Sequence, residues 1–318
     1  MVPENCVGVD LGGTKILAGV VSSRGRVLAR AKVKTPFASG SKALGEAIVA
    51  TVSEALSGAG PGRLRAIGIG SPGPIDPDRG VVLRTPNIAV RNFRIRDLLA
   101  RRFDVPVVLD NDVDMALWGE FRAGAGRGHR NLVGLWVGTG IGGALIIDGR
   151  LLHGINKNAG EIGHMVLEAS GAKPGGPEGT LEWEASKTGI ARFLREGVRK
   201  GEKTSLDRLR RRDRLHSSAL GKAYRSGDRL TRLAVAHSAR HVGIAIANLF
   251  NVFAPEIFVL GGGVVEDLGE PYLRAVRDTA KKFAFTTELA GIRIESARLG
   301  ADSGVVGAAL AARALLSA

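Results

Sequence analysis

The 318-residue chain holds one cysteine, Cys6. No internal disulfide can form, and no Cys/His zinc set can be assembled. That fits a reducing cytoplasm. Aromatic residues are also scarce, at 5% of the chain. No run of about 20 uninterrupted apolar residues exists, the length a membrane-spanning helix needs. The longest candidate, Val242 to Val265, is broken by Asn248, Asn251, Pro255 and Glu256, and predicts a buried helix feeding a strand. The opening residues, MVPENCVGVD, lack a basic stretch followed by an apolar one, so no signal peptide is expected.

Acidic side chains are the scarcer sign, 31 against 45 lysines and arginines, for a net charge of +14. The excess is uneven: Arg192 to Arg232 carries fourteen Lys/Arg and five Asp/Glu. Only Phe193 and Tyr224 interleave with those cations, so a stacking platform for single strands is not expected. A solvated helical face is the simplest reading; nucleic acid, an acidic partner or a polyanionic substrate are the alternatives.

What is present is ordinary for a globular chain: 44% hydrophobic and 24% charged residues. Disorder, collagen and coiled coil are excluded as global descriptions. At about 150 residues per domain, roughly two domains are expected. Glycine is the surplus, 45 residues, or about twice its usual share of about 7%. Its short clusters inside apolar strands point to tight turns where backbone approaches a ligand.

The pattern opens with three predicted strands, Cys6–Leu11, Lys15–Val21 and Arg26–Thr35. Helical spacing follows over Ser41–Ser57, then short strands at Leu64–Gly70 and Val105–Leu109, with a helix over Met115–Ala123. The opening then returns. VGVDLGGTKILAGVV from Val7 aligns with VGLWVGTGIGGALII from Val133, both strand, glycine turn, strand. Two copies of one αβ unit are expected. The fold class is α/β, with the glycine turns lining a cleft at strand ends.

Three glycine turns could meet a nucleotide. In Asp10-Leu11-Gly12-Gly13-Thr14-Lys15, two glycines admit phosphate oxygens to backbone N–H groups, and Thr14 and Lys15 add a hydroxyl and a charge. Asp10, just before the turn, suits magnesium, a hard ion that prefers oxygen ligands and water. An ordinary hairpin would also fit. Gly138-Thr139-Gly140-Ile141-Gly142-Gly143 is the second turn, and Gly261-Gly262-Gly263 the third. Asp110-Asn111-Asp112-Val113-Asp114 follows a strand and opens a helix. Capping explains one of these polar residues; a strand-end aspartate could also serve as general base. Glu161, His164 and Glu182 are spread in a way that suits several hydroxyls.

The chain resembles the ROK family of sugar kinases, in the actin-like ATPase superfamily, and especially the bacterial glucokinases. The likeness runs over nearly the whole chain. It rests on Asp10–Lys15, the turn from Gly68 to Asp76 and Thr85-Pro86-Asn87. It continues through Asn111-Asp112, Gly138–Gly143, Gly160-Glu161-Ile162-Gly163-His164 and Gly261–Gly263, in that order. The resemblance implies two actin-like (ribonuclease H-like) αβ lobes flanking a catalytic cleft. Residues 1–112 with the C-terminal helix 303–318 would form a small lobe, and 113–302 a large one. It implies an ATP- and Mg2+-dependent hexose kinase, glucose first, with Asp112 as catalytic base. Asn87, Asn111, Glu161, His164 and Glu182 would hold sugar hydroxyls. Asp10, Gly12, Gly13, Thr14 and Lys15 would hold phosphate, with Asp10 reaching magnesium through water. Thr139 and Gly140 would face them, and Gly261, Gly262 and Gly263 would take the adenosine.

It further implies a cytoplasmic homodimer in carbohydrate metabolism (glycolysis), with sugar and ATP as small-molecule partners and no nucleic acid or membrane. Lobe closure on the sugar is expected. Kinases for fructose, mannose or N-acetylmannosamine and a polyphosphate-using glucokinase are the enzyme alternatives. A sugar-responsive repressor of the family is the non-enzyme one. Its helix-turn-helix domain is not expected here, since the first motif strand begins by Cys6. One departure is plain. Where the family binds zinc through a histidine and three cysteines, this chain has His164 but Lys173, Gly175 and Thr180, so no structural zinc is expected. A second is Asp114, commonly asparagine in the family, whose charge could raise the pKa of Asp112.

Overall fold

β1 (Glu4–Leu11) is buried on both faces from Cys6 to Val9, as a central strand of an α/β sheet must be. A computed structural model describes residues 4–36, 40–85, 90–170, 172–206, 215–285 and 293–316. β1 turns into β2 (Lys15–Val21), and β3 (Val27–Lys34) completes an antiparallel meander. After α1 (Gly40–Gly58), β4 (Arg63–Ser71) pairs parallel with β1. The short strands β5 (Ile75–Asp76), β6 (Val81–Arg84) and β7 (Arg91–Phe93) form a small sheet of their own. Then come α2 (Ile95–Phe103), β8 (Val107–Asn111), parallel to β4, and α3 (Asp112–Ala123).

The plan then repeats. β9 (Leu132–Val137), β10 (Ile141–Ile147) and β11 (Arg150–Leu151) are followed by helices α4 (Leu181–Ala185), α5 (Lys187–Arg199), α6 (Ser217–Arg225) and α7 (Arg229–Phe253). β12 (Ile257–Gly261), α8 (Gly263–Leu268), α9 (Glu270–Phe283), β13 (Arg293–Ser296) and α10 (Ser303–Ala314) complete the chain. One sheet has the order β3-β2-β1-β4-β8 and the other β11-β10-β9-β12-β13. Strand for strand the same arrangement is used twice, as the repeated glycine hairpin suggests.

The chain divides into two compact units. One holds Met1–Arg130, Leu145–Ala159 and Ala297–Ala318; the other holds Asn131–Ala144 and Gly160–Ser296. The division expected after Asp112 therefore falls later. α3 stays with the first unit because its Gly119 seats directly on Ser303 of α10, and Gly307 of α10 on Met115 of α3.

Those two glycines correct a further expectation. Part of the glycine surplus serves helix packing rather than ligand approach. A Cβ at Gly8 of β1 would strike the Val305 carbonyl, and one at Gly68 of β4 the Ala308 carbonyl. α10 thus lies on the bare backbone of two strands, and buries Val305, Val306, Ala308 and Ala309 there. Each large apolar side chain so buried is worth about 1.5–3 kcal/mol. Glu120 of α3 is fully buried nearby. Its carboxylate accepts the N–H groups of Ala125 (2.8 Å), Arg298 (3.0 Å) and Leu299 (2.8 Å), and lies 2.9 Å from Ser303 Oγ. It fixes where α10 starts.

In the second unit, α7 packs against α4, α5 and α9. Ser238 Oγ donates to the Ala185 carbonyl (2.7 Å), so the buried Tyr272 hydroxyl donates to Ser238 (2.9 Å). Among the described residues, no helix is long and apolar enough to cross a membrane.

Candidate active site

In the first unit, parallel pairing sets Asp10, Gly70 and Asp110 abreast on β1, β4 and β8. Their strands end together, and strand C-terminal ends are where open α/β sheets bind ligands. Gly70 keeps this row close: a Cβ there would lie 3.2 Å from Asp112 Cα and 3.3 Å from Met115 Cβ. Asp10 and Asp112 therefore flank one bare backbone position.

The Asp10–Lys15 turn is tight and open. Gly12 N–H donates to the Lys15 carbonyl (3.0 Å). Thr35, just past β3 and buried, braces it twice: its hydroxyl donates to the Gly12 carbonyl (2.7 Å) and its N–H to the Thr14 carbonyl (3.1 Å). Thr14 is exposed, with Gly13 and Lys15 half-exposed beside it. Burial pushes the Asp10 carboxyl above the usual carboxylate range, against the pull of Lys15. An oxygen donor penalised for its own charge beside an open turn fits a hydrated magnesium ion, which needs few protein carboxylates.

β8 runs two residues further than its apolar run predicts, because Asp110 and Asn111 pair with Gly70 and Ser71. Of the polar cluster, Asn111 is the cap: its side chain accepts from Val113 N (2.8 Å) and Asp114 N (3.3 Å). Asp112 is the first residue of α3, half-exposed, with Oδ1 3.0 Å from Val113 N. Asp110 is buried, accepts from Asn111 N (2.9 Å) and is bonded through Oδ2 to His153 Nε2 (2.8 Å). That bond raises the His153 pKa above its ordinary value, and burial and Lys157 oppose it. The sequence pattern does not single out His153 or Thr35.

In the second unit, Glu182 Oε2 accepts Ile141 N–H (2.8 Å), and Gly140 leaves room for that carboxylate. Gly163 packs on the Ile141 carbonyl. Glu182 and the 3₁₀ turn Ile162–His164 thus converge on one residue of β10. Glu161 and His164 are both exposed, 3.8 Å apart. The Gly138–Gly140 turn is held from the other side. Lys187 N–H donates to the Gly138 carbonyl (2.9 Å) and the Thr188 hydroxyl to the Thr139 carbonyl (2.7 Å). Gly262, at φ 89°, lies against the Val137 backbone, in a conformation that favours glycine. So Gly261–Gly263 sits beside the strand that feeds the Gly138 turn. Asn87 lies outside the described residues, as do Arg208, Arg210, Arg211 and Arg212 of the basic segment.

The ROK family model matches residues 6–314. The chain belongs to the ROK family. A glucokinase from Halalkalibacterium halodurans is 36% identical over 307 residues, which is 95% of this chain and 92% of that protein. The crystal structure of a ROK family glucokinase from Streptomyces griseus, in complex with glucose and AMPPNP, superposes with a TM-score of 0.83 at 33% identity. It covers 98% of this chain and 99% of that one. A ROK hexokinase structure from Thermus thermophilus gives 0.82 at 35% identity, covering 98% and 99%. The two αβ units of this ROK protein are the actin-like ATPase fold of those kinases.

Proposed function

We propose that this ROK protein is an ATP-dependent hexose kinase that converts glucose and ATP to glucose 6-phosphate and ADP. The observation that carries this is the likeness, over 98% of the chain, to a glucokinase whose structure holds glucose and AMPPNP. Phosphoryl transfer asks for positioning and charge neutralisation more than covalent chemistry. Asp112, at the start of α3, takes the proton of the sugar 6-hydroxyl as that oxygen attacks the γ-phosphate. Asn111, held in place by its own capping bonds, orients the sugar with Asn87, Glu161, His164 and Glu182. One Glu182 oxygen is already committed to Ile141 N–H; the carboxylate thereby links sugar position to the Gly138–Gly140 turn.

The open Gly12-Gly13-Thr14-Lys15 turn receives phosphate oxygens on N–H groups, a hydroxyl and an ammonium. Thr139 and Gly140 offer a second such surface, and Gly261–Gly263 the adenosine contact. Asp10 would hold magnesium through water, and the ion would supply charge neutralisation at the phosphates. The setting is cytoplasmic sugar metabolism, at the entry to glycolysis, and the protein is a homodimer. A coupled ADP-release assay across glucose, mannose, fructose and N-acetylmannosamine tests the substrate. Glucose should give the highest kcat/KM, and a tenfold preference for another sugar would replace it.

A further inference from the structure

Two histidines one helical turn apart, His237 and His241, stand on α7 outside the groups assigned above. Residues at i and i+4 lie on one helix face, and these imidazole rings are 4.2 Å apart. Glu184 of α4 meets them, with Oε2 3.1 Å from His237 Nε2. One ligand atom from each of Glu184, His237 and His241 lies within 4.8 Å of the others. The second observation concerns the proton. His241 Nδ1 is 2.8 Å from the His237 carbonyl, an acceptor only, so Nδ1 carries a hydrogen and Nε2 is the ring atom left to serve as a metal ligand. That Nε2 faces Glu168 Oε1 at 3.5 Å. A backbone carbonyl that fixes the tautomer is what metal-ligating histidines ordinarily use. Glu184 Oε2 also accepts from Arg192 Nη2 (3.2 Å), which orients the carboxylate.

We propose that Glu184, His237 and His241, completed by Glu168, bind one divalent transition ion of the zinc class. Two imidazoles and two carboxylates suit zinc or cobalt better than magnesium or calcium, which prefer oxygen alone. Binding exchanges the His237–Glu184 hydrogen bond for bonds to the ion, with the His237 proton moving from Nε2 to Nδ1. The expectation of no zinc rests on the missing cysteines at 173, 175 and 180, and these four residues do not involve those positions. The ion would have a structural task. Glu168 belongs to the loop closed by the Val166–Thr180 bridge. Its capture fastens that loop to α7 and to α4, the helix that carries Glu182.

The test is cobalt and zinc binding by the tag-free, metal-stripped protein, which is independent of any kinase assay. Cobalt should bind at about one equivalent with the visible absorption of a four-coordinate ion, and zinc should displace it. Zinc should raise Tm by roughly 5 °C or more. The double variant His237→Gln/His241→Gln should lose both effects while its circular dichroism stays native. Should that variant fail to fold, Glu168→Gln, on the exposed loop, must weaken cobalt binding at least tenfold. His164→Gln should keep the site intact. Uptake below about a tenth of an equivalent, uptake unchanged in the double variant or in Glu168→Gln, or loss in His164→Gln overturns the proposal.

Discussion

Asp110 and His153 are joined by a 2.8 Å bond between a buried carboxylate and a half-buried imidazole, two residues before Asp112. Asp110 also accepts Asn111 N–H, so the imidazole braces the backbone that leads into α3. The carboxylate raises the His153 pKa. A group with a raised folded-state pKa stabilises the fold fully below its unfolded value, about 6.5 for histidine. That contribution is lost as pH rises through the raised value. His153→Gln should therefore lower Tm most below about pH 6.5, and the gap should narrow as pH rises. Thermal scans from pH 5.5 to 9 check this; a gap constant with pH would mean that the imidazole charge contributes nothing.

Asp112→Asn should leave folding and glucose binding nearly unchanged and lower kcat by about 10²–10⁴-fold, the usual worth of a positioned acid–base group. Steady-state kinetics with glucose decide it. Near-normal kcat would move the base to another carboxylate.

Asp10 gives a stability prediction of opposite direction. Burial holds its carboxyl above the usual range, so the ionised form is penalised in the folded protein. That penalty sets in as pH rises from the ordinary carboxylate value through the raised one, and it persists at neutral pH. Asp10→Asn should raise the Tm of the ligand-free protein at pH 7, leave it nearly unchanged at pH 3, and abolish magnesium-dependent turnover. Calorimetry at both pH values checks the sign. A lower Tm at pH 7 would make Asp10 a structural residue.

Glu120 has a purely structural task. Its removal leaves the buried N–H of Ala125 and the part-buried N–H groups of Arg298 and Leu299 without their acceptor, and a buried group left unsatisfied costs about 1–3 kcal/mol. Glu120→Ala should cost at least about 3 kcal/mol, and urea unfolding measures it. A loss under about 1 kcal/mol would show that α10 docks without this carboxylate.

How far these features can be read in the chain follows from how local they are. The Asp10–Lys15 and Gly138–Gly140 turns carry their glycines within a few residues, and the repeat between Val7 and Val133 exposes the doubled sheet. Gly8 and Gly68 look like the turn glycines but meet α10, nearly 300 and 240 residues away. Thr35 braces a turn 21 residues upstream, His153 reaches Asp110 across 43 residues, and Glu120 reaches Arg298 across 178. No pattern in a single chain reports such pairings. The His237–His241 spacing is visible; Glu184, which gives it meaning, is 53 residues from His237.

The most direct measurement is one reaction: purified protein, glucose, ATP and magnesium, with ADP and glucose 6-phosphate quantified together. The two products should form in equal amounts, dependent on glucose and reduced by about 10²-fold or more in Asp112→Asn. ADP release that ignores glucose, or no glucose 6-phosphate while another hexose is phosphorylated, would contradict it.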